Sequence, residues 1–390
     1  MRASTQREGF VLVATLFVLV FTAALVTGSF MTANHEDAMS RSLSTGTEAL
    51  FIAETGLQNV LGTTKTGDFM AFYDSTASGV VFPSDTTLPD STVQIAGEVV
   101  GTYAITMTWV NPRLVLIQSR GRLANRGRDN VATRTVAAVV RIRRAKFPAD
   151  AALSIFGGLK AGGNSRIDGS DQYSTPGCEP GDSMPGVVAK DGSLVTGVDN
   201  IYGSPPVSSD ASLDTAKLMS LGNVTVNELA ASADITLPGA TYNGMQPQVA
   251  DSVCVPGNMN WGAPQDSTSP CWERMPVIHF TGNTLLSTGV GHGILIVDGN
   301  LKLTGNMEFY GIVIVRGTLS TTGTGNHIVG TAIVAGSGDL DSTSTTVGNS
   351  VIQYSHCRAK SPLDNVLRPV PLAHRGWVDL SAMSPVPTDW

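Results

Sequence analysis

The sequence lacks the short motifs that mark common enzymes. It contains no G-x-S-x-G, H-E-x-x-H or P-loop spacing, and its six histidines are scattered singly. The four cysteines form no C-x-x-C pair. These absences predict a protein that is not an enzyme and that needs neither a metal nor a cofactor. A zinc site is the alternative, because the adjacent His356 and Cys357 put two zinc-ligand types together.

Charged side chains are scarce, at 15% of the 390 residues, and the formal net charge is −7. Glycine is abundant, with 42 residues, and serine and threonine are frequent. This composition is typical of strands and turns, not of a helical enzyme. A chain of this length is long enough for two or three domains with a substantial core. The acidic balance suits an exported body but identifies no partner.

The N-terminal region lacks both charge and proline. Residues 10–31 contain no charged side chain, and the first proline is Pro83. A helix over that apolar run is roughly 33 Å long, enough to cross the hydrocarbon core of a bilayer. Beyond it the sequence becomes polar but keeps apolar residues at helical spacing, at Leu43, Leu50 and Leu57. We therefore predict one helix over residues 10–62, with a transmembrane first half and an amphipathic second half.

The residues before the apolar run carry a more specific signal. Arg7-Glu8-Gly9-Phe10-Val11 resembles the class III leader of type IV pilins and pseudopilins, which prepilin peptidase cuts after a glycine. The resemblance implies that 1–9 is a leader peptide ending at Gly9, and that Phe10 is the mature, N-methylated terminus. Two alternatives are a cleaved secretory signal, with Val26-Thr27-Gly28 as its cleavage site, and an ordinary signal anchor.

Such proteins have a single-pass inner-membrane form with a periplasmic body, which then enters a pilus on the cell surface. The resemblance therefore implies three kinds of partner: other pilins and minor pilins through the N-terminal helix, prepilin peptidase, and the inner membrane before assembly.

A second segment narrows the resemblance. Residues 48–58, EALFIAETGLQ, are similar to the A-x-x-A-E-x-G-L segment of PilX-type minor pilins. Within it Glu54 is read as a solvated charge on the helix face. Most pilins carry a glutamate at the fifth residue after the cut, but this sequence has Ala14 there. That departure resembles the tip-located minor pseudopilin of type II secretion. It implies a tip or initiating subunit and argues against a bulk subunit of the shaft.

A small β-sheet is predicted after the helix. Residues 63–92 are rich in Thr, Ser, Gly and Pro and are interpreted as a linker. Residues 93–147 alternate between apolar and polar side chains, which predicts three or four antiparallel strands. Because a small isolated sheet is marginally stable, we expect these strands to pack on the outer half of the helix.

The predicted strands are rich in arginine, and Asp129 is the sole acid between Arg113 and Lys146. These basic side chains are candidates for a nucleic-acid or anion patch: Arg113, Arg120, Arg122, Arg126, Arg128, Arg134, Arg141, Arg143 and Arg144. The other interpretation is an alternating solvated face, or contact with acidic neighbouring subunits. No aromatic residue lies between Arg113 and Arg144 to stack on bases, which favours this second interpretation.

Residues 148–290 are interpreted as a loop-rich, cysteine-containing region with a short helix near 212–221. The four cysteines of an exported chain predict up to two disulfides, with three connectivities open. Cys254 and Cys271 enclose a loop rich in proline and glycine, and closing such a loop stabilises by about 3 kcal/mol in chain-entropy terms. They are our prediction for a local pair, which leaves Cys178 with Cys357.

Residues 291–360 contain an internal repeat. Residues 293–299, 311–317 and 330–336 share the frame G-x-x-I-V-x-G. A period of about 20 residues with short β runs and glycine corners predicts stacked coils, that is, a short β-solenoid. The frame also resembles the C-terminal region of PilX-type proteins, including the I-x-Y-x-x-C element at 352–357.

Two minor predictions concern acidic turns and the C-terminal tail. The 168–171 turn, Asp339 and Asp341 offer oxygen ligands for calcium, but they lack the spacing of a calcium loop, so turn and capping roles are preferred. The tail, 361–390, is interpreted as an edge element in which Trp377 is packed.

Together these features predict an α+β fold. A long pilin-like helix packs on a small antiparallel sheet, and a β-rich domain with a short solenoid follows. The predicted function is that of a structural minor pilin or pseudopilin in type IV pilus assembly, as a tip or initiating subunit, with surface adhesion as a further role. The alternatives are a DNA-uptake or type II secretion pseudopilin and, in a different class, a membrane-anchored polysaccharide-active enzyme.

Overall fold

The computed structural model describes residues 8–65, 69, 84–111, 113–124, 132–143, 146–147, 150–336, 343–367, 369–372 and 376–382. The chain divides into two compact units. The first comprises Met1–Thr63, Ser78–Arg141 and Val370–Trp390, and the second comprises Thr64–Ala77 and Ile142–Pro369.

Helix α1, Glu8–Thr63, is continuous, as the absence of proline predicts. From residue 13 to residue 44 its side chains are exposed, and burial begins at Thr45. The buried stripe consists of Ala49, Ile52, Ala53, Leu57 and Val60, together with two glycines. The predicted apolar positions Leu43 and Leu50 are not part of this stripe. Small residues replace them at the contact because the sheet approaches the helix closely.

The first unit contains an antiparallel sheet. Its strands are β1 (Ser84–Thr87), β2 (Ser91–Ile95), β3 (Glu98–Asn111), β4 (Leu114–Leu123) and β5 (Thr133–Arg141). Both β1 and β2 pair with β3, which is followed by β4 and β5. The sheet therefore begins within the segment that the sequence suggests is a linker. The strands β1 and β2 are short and polar at the sheet edge, so they carry little of the apolar alternation that identifies β3 and β4.

Glycines on both partners let α1 contact the sheet closely. A Cβ built on Gly121 of β4 would lie 2.4 Å from the backbone nitrogen of Ala53, and one on Gly101 of β3 would lie 2.3 Å from Cδ1 of Ile52. Alternate positions of β3 and β4 face the helix and are buried, among them Met107 and Trp109. This packing confirms the predicted helix-on-sheet arrangement.

The second unit is built from short strands and short helices. Its strands are β6 (Leu153–Ile155), β7 (Gly158–Ala161), β8 (Arg166–Asp168), β9 (Val187–Ala189), β10 (Val195–Thr196), β11 (Ile201–Tyr202), β12 (Val207–Ser209), β13 (Ser220–Leu221), β14 (Val224–Thr225), β15 (Ile235–Leu237), β16 (Thr241–Tyr242), β17 (Val249–Ala250), β18 (Val253–Cys254), β19 (Val277–Phe280), β20 (Thr284–Val297), β21 (Leu301–Val315), β22 (Leu319–Thr321), β23 (Thr324–Val334), β24 (Thr343–Thr346) and β25 (Asn349–Tyr354). Its α-helices are α2 (Thr215–Leu218), α3 (Val226–Ala231) and α4 (His356–Val366).

Sixteen of these strands form one parallel, curled sheet. The three repeats stack in register, because Gly293 pairs with Gly311 and Gly311 pairs with Gly330. These glycines have φ between 123° and 143°, which a residue with a Cβ rarely adopts. They form the corner at which each coil turns, so the predicted solenoid is confirmed.

The solenoid is longer than the predicted 291–360. Strands β6, β7 and β8 pair with β23, β24 and β25, and β9 to β12 continue the stack. Strands β15, β16 and β19 extend it at the other end. Much of the segment interpreted as loop-rich, 148–290, is therefore part of the coils. Its strands are two to four residues long, too short to produce a visible period in the sequence.

On one side of the solenoid, the strands are covered on both of their faces. Ile294, Ile296, Ile312, Ile314 and Ile333 point outward and pack with side chains of α2, α3 and α4, while their strand neighbours fill the interior. A strand that is covered on both faces reads as a continuous apolar run, which explains the Ile-Leu-Ile-Val stretches of the repeats.

Two tail strands return to the first unit. Strand β26 (Val370–Pro371) and strand β27 (Trp377–Asp379) both pair antiparallel with β5, so the tail forms a sheet edge. Trp377 is 49% exposed, which differs from the packed position that we predicted. An edge strand covers its ring on one side only, which leaves half of it open.

Candidate functional site

The exposed half of α1 is the first candidate site. Its 18-residue window of highest apolarity has a mean hydropathy of 2.2, and none of it is buried within the protein. Length and composition make it a candidate membrane anchor. Gly9 and Phe10 lie within the helix backbone, while residues 1–7 of the predicted leader lie outside the described residues. Ala14 is exposed on this half of the helix.

The structure divides the predicted arginine patch. Arg120 and Arg122 are exposed on the face of β4 that is turned away from the helix, and Arg141 lies on the same face of β5. Arg134 lies on the opposite face, where its guanidinium would be 3.0 Å from a Cβ built on Gly46 of α1. The strand alternation therefore separates residues that the sequence places together.

The other predicted arginines differ in their surroundings, where the structure describes them. Arg113 is exposed in the turn before β4. Arg143 belongs to the second unit, where it forms an ion pair with Glu228 at 2.6 Å. Arg126, Arg128 and Arg144 lie outside the described residues. The described basic face is thus limited to one side of β4 and β5.

All four cysteines are joined in the predicted pairs. Cys254 is bonded to Cys271, and Cys178 is bonded to Cys357. Each disulfide joins a half-buried sulfur-bearing residue, Cys254 or Cys178, to a fully buried one. Their surroundings differ in chemistry.

A histidine lies against the Cys178–Cys357 disulfide. Nε2 of His356 is 3.3 Å from Sγ of Cys178 and 3.6 Å from Sγ of Cys357. On its other side, Nδ1 of His356 contacts the carboxylate of Asp171, which is fully buried. The backbone N–H of Gly181 also donates to Asp171, at 2.9 Å. The buried carboxylate therefore fixes the ring with Nε2 directed at the two sulfurs.

These atoms include three that could ligate a metal, within 4.8 Å of one another: one each from Cys178, His356 and Cys357. Metal binding by cysteine needs a thiolate, and both sulfurs are bonded to each other. In the disulfide form this cluster therefore lacks the ligands of a zinc site.

A cleft in the second unit has a volume of about 260 Å³, and an arginine within it contacts two aromatic rings. The Arg358 guanidinium lies 5.3 Å from the centre of the Trp272 ring and 5.1 Å from that of Tyr310. Both separations fall within the range of cation–π attraction. His292 lines the same cleft, and its burial lowers its pKa to about 4.

The acidic turn at 168–171 is occupied by internal contacts. Oδ1 of Asp168 accepts hydrogen bonds from the backbone and the hydroxyl of Ser170, and Arg166 donates to its Oδ2. Burial by itself raises the pKa of Asp168, but these hydrogen bonds and the charge of Arg166 hold it below its usual value. These contacts agree with the turn role that the sequence favours. Asp339 and Asp341 lie outside the described residues.

Sequence reasoning missed the pairing of Asp171 with His356 and the stack of Trp272, Arg358 and Tyr310. Asp171 and His356 are 185 positions apart, and each is unremarkable alone. The adjacency of His356 to Cys357 was the one available signal, and it supported only the alternative of a zinc site, whereas a disulfide at Cys357 was the prediction.

No protein-family model and no curated protein matches this sequence. Among solved structures, the competence-associated pilin ComZ from Thermus thermophilus is similar with 13% sequence identity and a TM-score of 0.23. The match covers 86% of this chain and 96% of that chain. A TM-score this low carries no argument about fold or function, so the functional inference depends on the chain itself.

Proposed function

We propose that this chain is a membrane-anchored structural subunit that assembles with similar subunits into a pilin-type filament. The observation that carries the proposal is the contrast between the two halves of α1. From Thr45 onward the helix packs on its own sheet, whereas the side chains of residues 13–44 are exposed in the described protein. The part of this exposed surface up to residue 31 is apolar and is not stable in water, so it needs a bilayer or other helices around it.

The bilayer and the neighbouring helices surround the apolar half of α1 at two different stages, before and after filament assembly. Before assembly the apolar half lies in the inner membrane, with the body in the periplasm. After assembly it packs against the corresponding helices of neighbouring subunits in a filament at the cell surface. Cleavage after Gly9 by prepilin peptidase separates the stages and leaves Phe10 as the N-methylated terminus.

We place the subunit at the filament tip, or in its initiation, as a PilX-type minor pilin. Ala14 supports this placement, since a subunit without a carboxylate there cannot neutralise the terminal amine of a neighbour. A buried unpaired charge costs several kcal/mol, which disfavours positions inside the shaft. The solenoid adds an extended surface that suits contact with a host or another surface.

DNA uptake is the second candidate function, and secretion by a type II system is a related one. Arg120, Arg122 and Arg141 favour the DNA role, because all three lie on one exposed face and can contact phosphates. Replacing Arg120 and Arg122 with Gln tests it. Salt-dependent binding of duplex DNA that these changes abolish would support DNA uptake, and unchanged DNA uptake by cells would exclude it.

A polysaccharide-active enzyme is the remaining class. Glycosidases use a carboxylic acid whose pKa is raised. Every described carboxyl group with a resolved shift has a lowered pKa instead: Asp168, Asp191, Asp210, Glu228 and Asp266. Incubation of the purified protein with polysaccharides should therefore release no sugar.

Gold labelling of native filaments tests the main proposal. We expect label at filament ends for the unmodified protein, and a shift of label into the shaft or a loss of initiation for Ala14→Glu. Ala14→Gln is the matched control, because it adds the same bulk without the charge and should behave like the unmodified protein. Label spread evenly along the shaft would contradict the tip placement. Absence of label from filaments altogether would contradict the filament role.

A further inference from the structure

The two disulfides provide an internal comparison. Both join a half-buried cysteine to a buried one, yet the groups beside the sulfurs differ. The side-chain amide of Asn260 lies 3.4 Å from Sγ of Cys254 and 3.5 Å from Sγ of Cys271. A neutral amide cannot take up a proton from a thiol. The imidazole of His356, beside the Cys178–Cys357 bond, can.

Cys357 also occupies a position that stabilises a thiolate. It is the second residue of α4, an eleven-residue helix capped by Ser355. The partial positive charge at a helix N-terminus, and an adjacent imidazolium, both favour the thiolate form of cysteine. A thiolate that is stabilised in this way leaves faster in thiol–disulfide exchange.

The other sulfur is open to attack. Both cysteines line a cavity of about 430 Å³ together with His356 and Lys360, but only Cys178 is half-buried. Cys357 is 1% exposed. An incoming thiol therefore reaches Cys178, and Cys357 is the sulfur that departs.

We propose that the Cys178–Cys357 disulfide is a site of thiol–disulfide exchange, whose substrate is a dithiol and whose proton acceptor is His356. This inference is independent of the filament role. It assigns Asp171 as the residue that positions the ring. Reduction would break the covalent link between Cys178 and α4.

The exchange balances in two steps. The first thiol of the dithiol gives its proton to Nε2 of His356 and bonds to Sγ of Cys178, while the Cys178–Cys357 bond breaks and its electron pair passes to Sγ of Cys357. The resulting thiolate pairs with the imidazolium. The second thiol then attacks its own partner sulfur in the mixed disulfide and gives its proton to Cys178. The dithiol leaves as a disulfide, and the protein gains two electrons and two protons.

Graded reduction of the full chain in detergent micelles tests the proposal, with dithiothreitol as the dithiol. Samples are quenched over time, free thiols are alkylated, and each cysteine peptide is quantified by mass spectrometry. We expect the Cys178–Cys357 bond to be reduced at least about tenfold faster than the Cys254–Cys271 bond. Equal rates for the two disulfides, or reduction of either only after unfolding, would overturn the proposal without any variant.

Two variants then separate proton transfer from structure. His356→Gln should slow reduction of Cys178–Cys357 about tenfold and leave Cys254–Cys271 unchanged. His279→Gln is the matched control, because His279 also contacts a carboxylate, Asp298 at 2.8 Å, but makes no hydrogen bond to a sulfur within the described residues. An unchanged rate for His356→Gln would show that the ring is only a structural contact.

The positioning role of Asp171 is tested by the pH profile of the exchange rate. Among the described residues, the other charged groups that line the cavity are Lys65, Lys360 and Asp364, and Tyr354 interacts electrostatically with Asp171. All four are the same in the unmodified protein and in Asp171→Asn. Asp171→Asn should therefore change the shape of the profile. A profile that keeps its shape, with only the amplitude altered, would reject the assignment of Asp171.

Discussion

Gly56 of the long helix lies directly over Ser119 of the sheet. A Cβ built on Gly56 would be 2.5 Å from Oγ of Ser119 and 2.6 Å from the ring of Tyr103. Ser119 is fully buried. The helix can therefore approach the sheet this closely only because position 56 has no side chain.

Substitution of this glycine should destabilise the first unit. Gly56→Ala places a methyl group inside the contact, and such overpacking costs about 1–3 kcal/mol. Gly62→Ala is the matched control in the same helix, because a Cβ there has nothing within 4 Å. It should be neutral or stabilise by up to about 1 kcal/mol, through helix propensity. Denaturant unfolding of the full chain in micelles, followed by tryptophan fluorescence, measures both. Equal effects of the two changes would contradict the close contact.

The glycine corner of the solenoid gives a second prediction. A Cβ on Gly311, at φ 135°, would lie 2.1 Å from the carbonyl oxygen of Gly293. Gly311→Ala combines a backbone conformation that alanine rarely adopts with a direct clash, so we expect a loss of more than about 2 kcal/mol. Gly282→Ala, whose nearest neighbour is 3.6 Å away, should be tolerated. Thermal unfolding by circular dichroism distinguishes them, and a tolerated Gly311→Ala would refute the packed corner.

The buried His292 makes stability depend on pH. Burial, aided by the charge of Arg358, lowers its pKa from 6.5 to about 4, against the carbonyls of Arg274 and Cys271, which favour the charged ring. Between these values the unfolded chain binds the proton and the folded chain does not. The contribution of the neutral His292 ring to the free energy of unfolding is therefore fully present above pH 6.5. It is lost as the pH falls toward 4, by about 3 kcal/mol in all.

A variant isolates this contribution. Replacing His292 with Gln should flatten the pH dependence of unfolding between pH 6.5 and 4, while carboxylates affect both proteins equally and cancel in the comparison. His35→Gln, on the exposed part of α1, serves as the control and should leave the slope unchanged. If His292→Gln keeps the full slope, the buried ring does not titrate in this range.

The mature N-terminus can be measured directly. We expect protein extracted from membranes or filaments to begin at Phe10 with a methylated amine, because Gly9 precedes an uninterrupted apolar helix. Intact mass and terminal peptide sequencing provide the check, with Gly9→Val as a variant that should remain uncleaved. A chain that still begins at Met1, or one that begins near Gly28, would reject processing of the class III type.

The sequence by itself determined the features that depend on local pattern. A long run without charge or proline can form only a helix that seeks an apolar environment, which gives α1. Repeated glycines before Ile-Val pairs fix the corners of stacked coils. The two disulfide pairs were also predicted, because four cysteines allow only three connectivities and Cys254 and Cys271 enclose a short loop.

Only the tertiary structure determined the features that depend on contacts between segments far apart in the sequence. It placed Asp171 beside His356, and it set Arg134 on the opposite face of the sheet from Arg120, since alternation along each strand matters only once the strands are paired. It also extended the solenoid to β6–β12, whose strands are too short to show a period. Two- and three-residue strands gain their stability from the coils stacked on them, and that information is not present in any local window of the sequence.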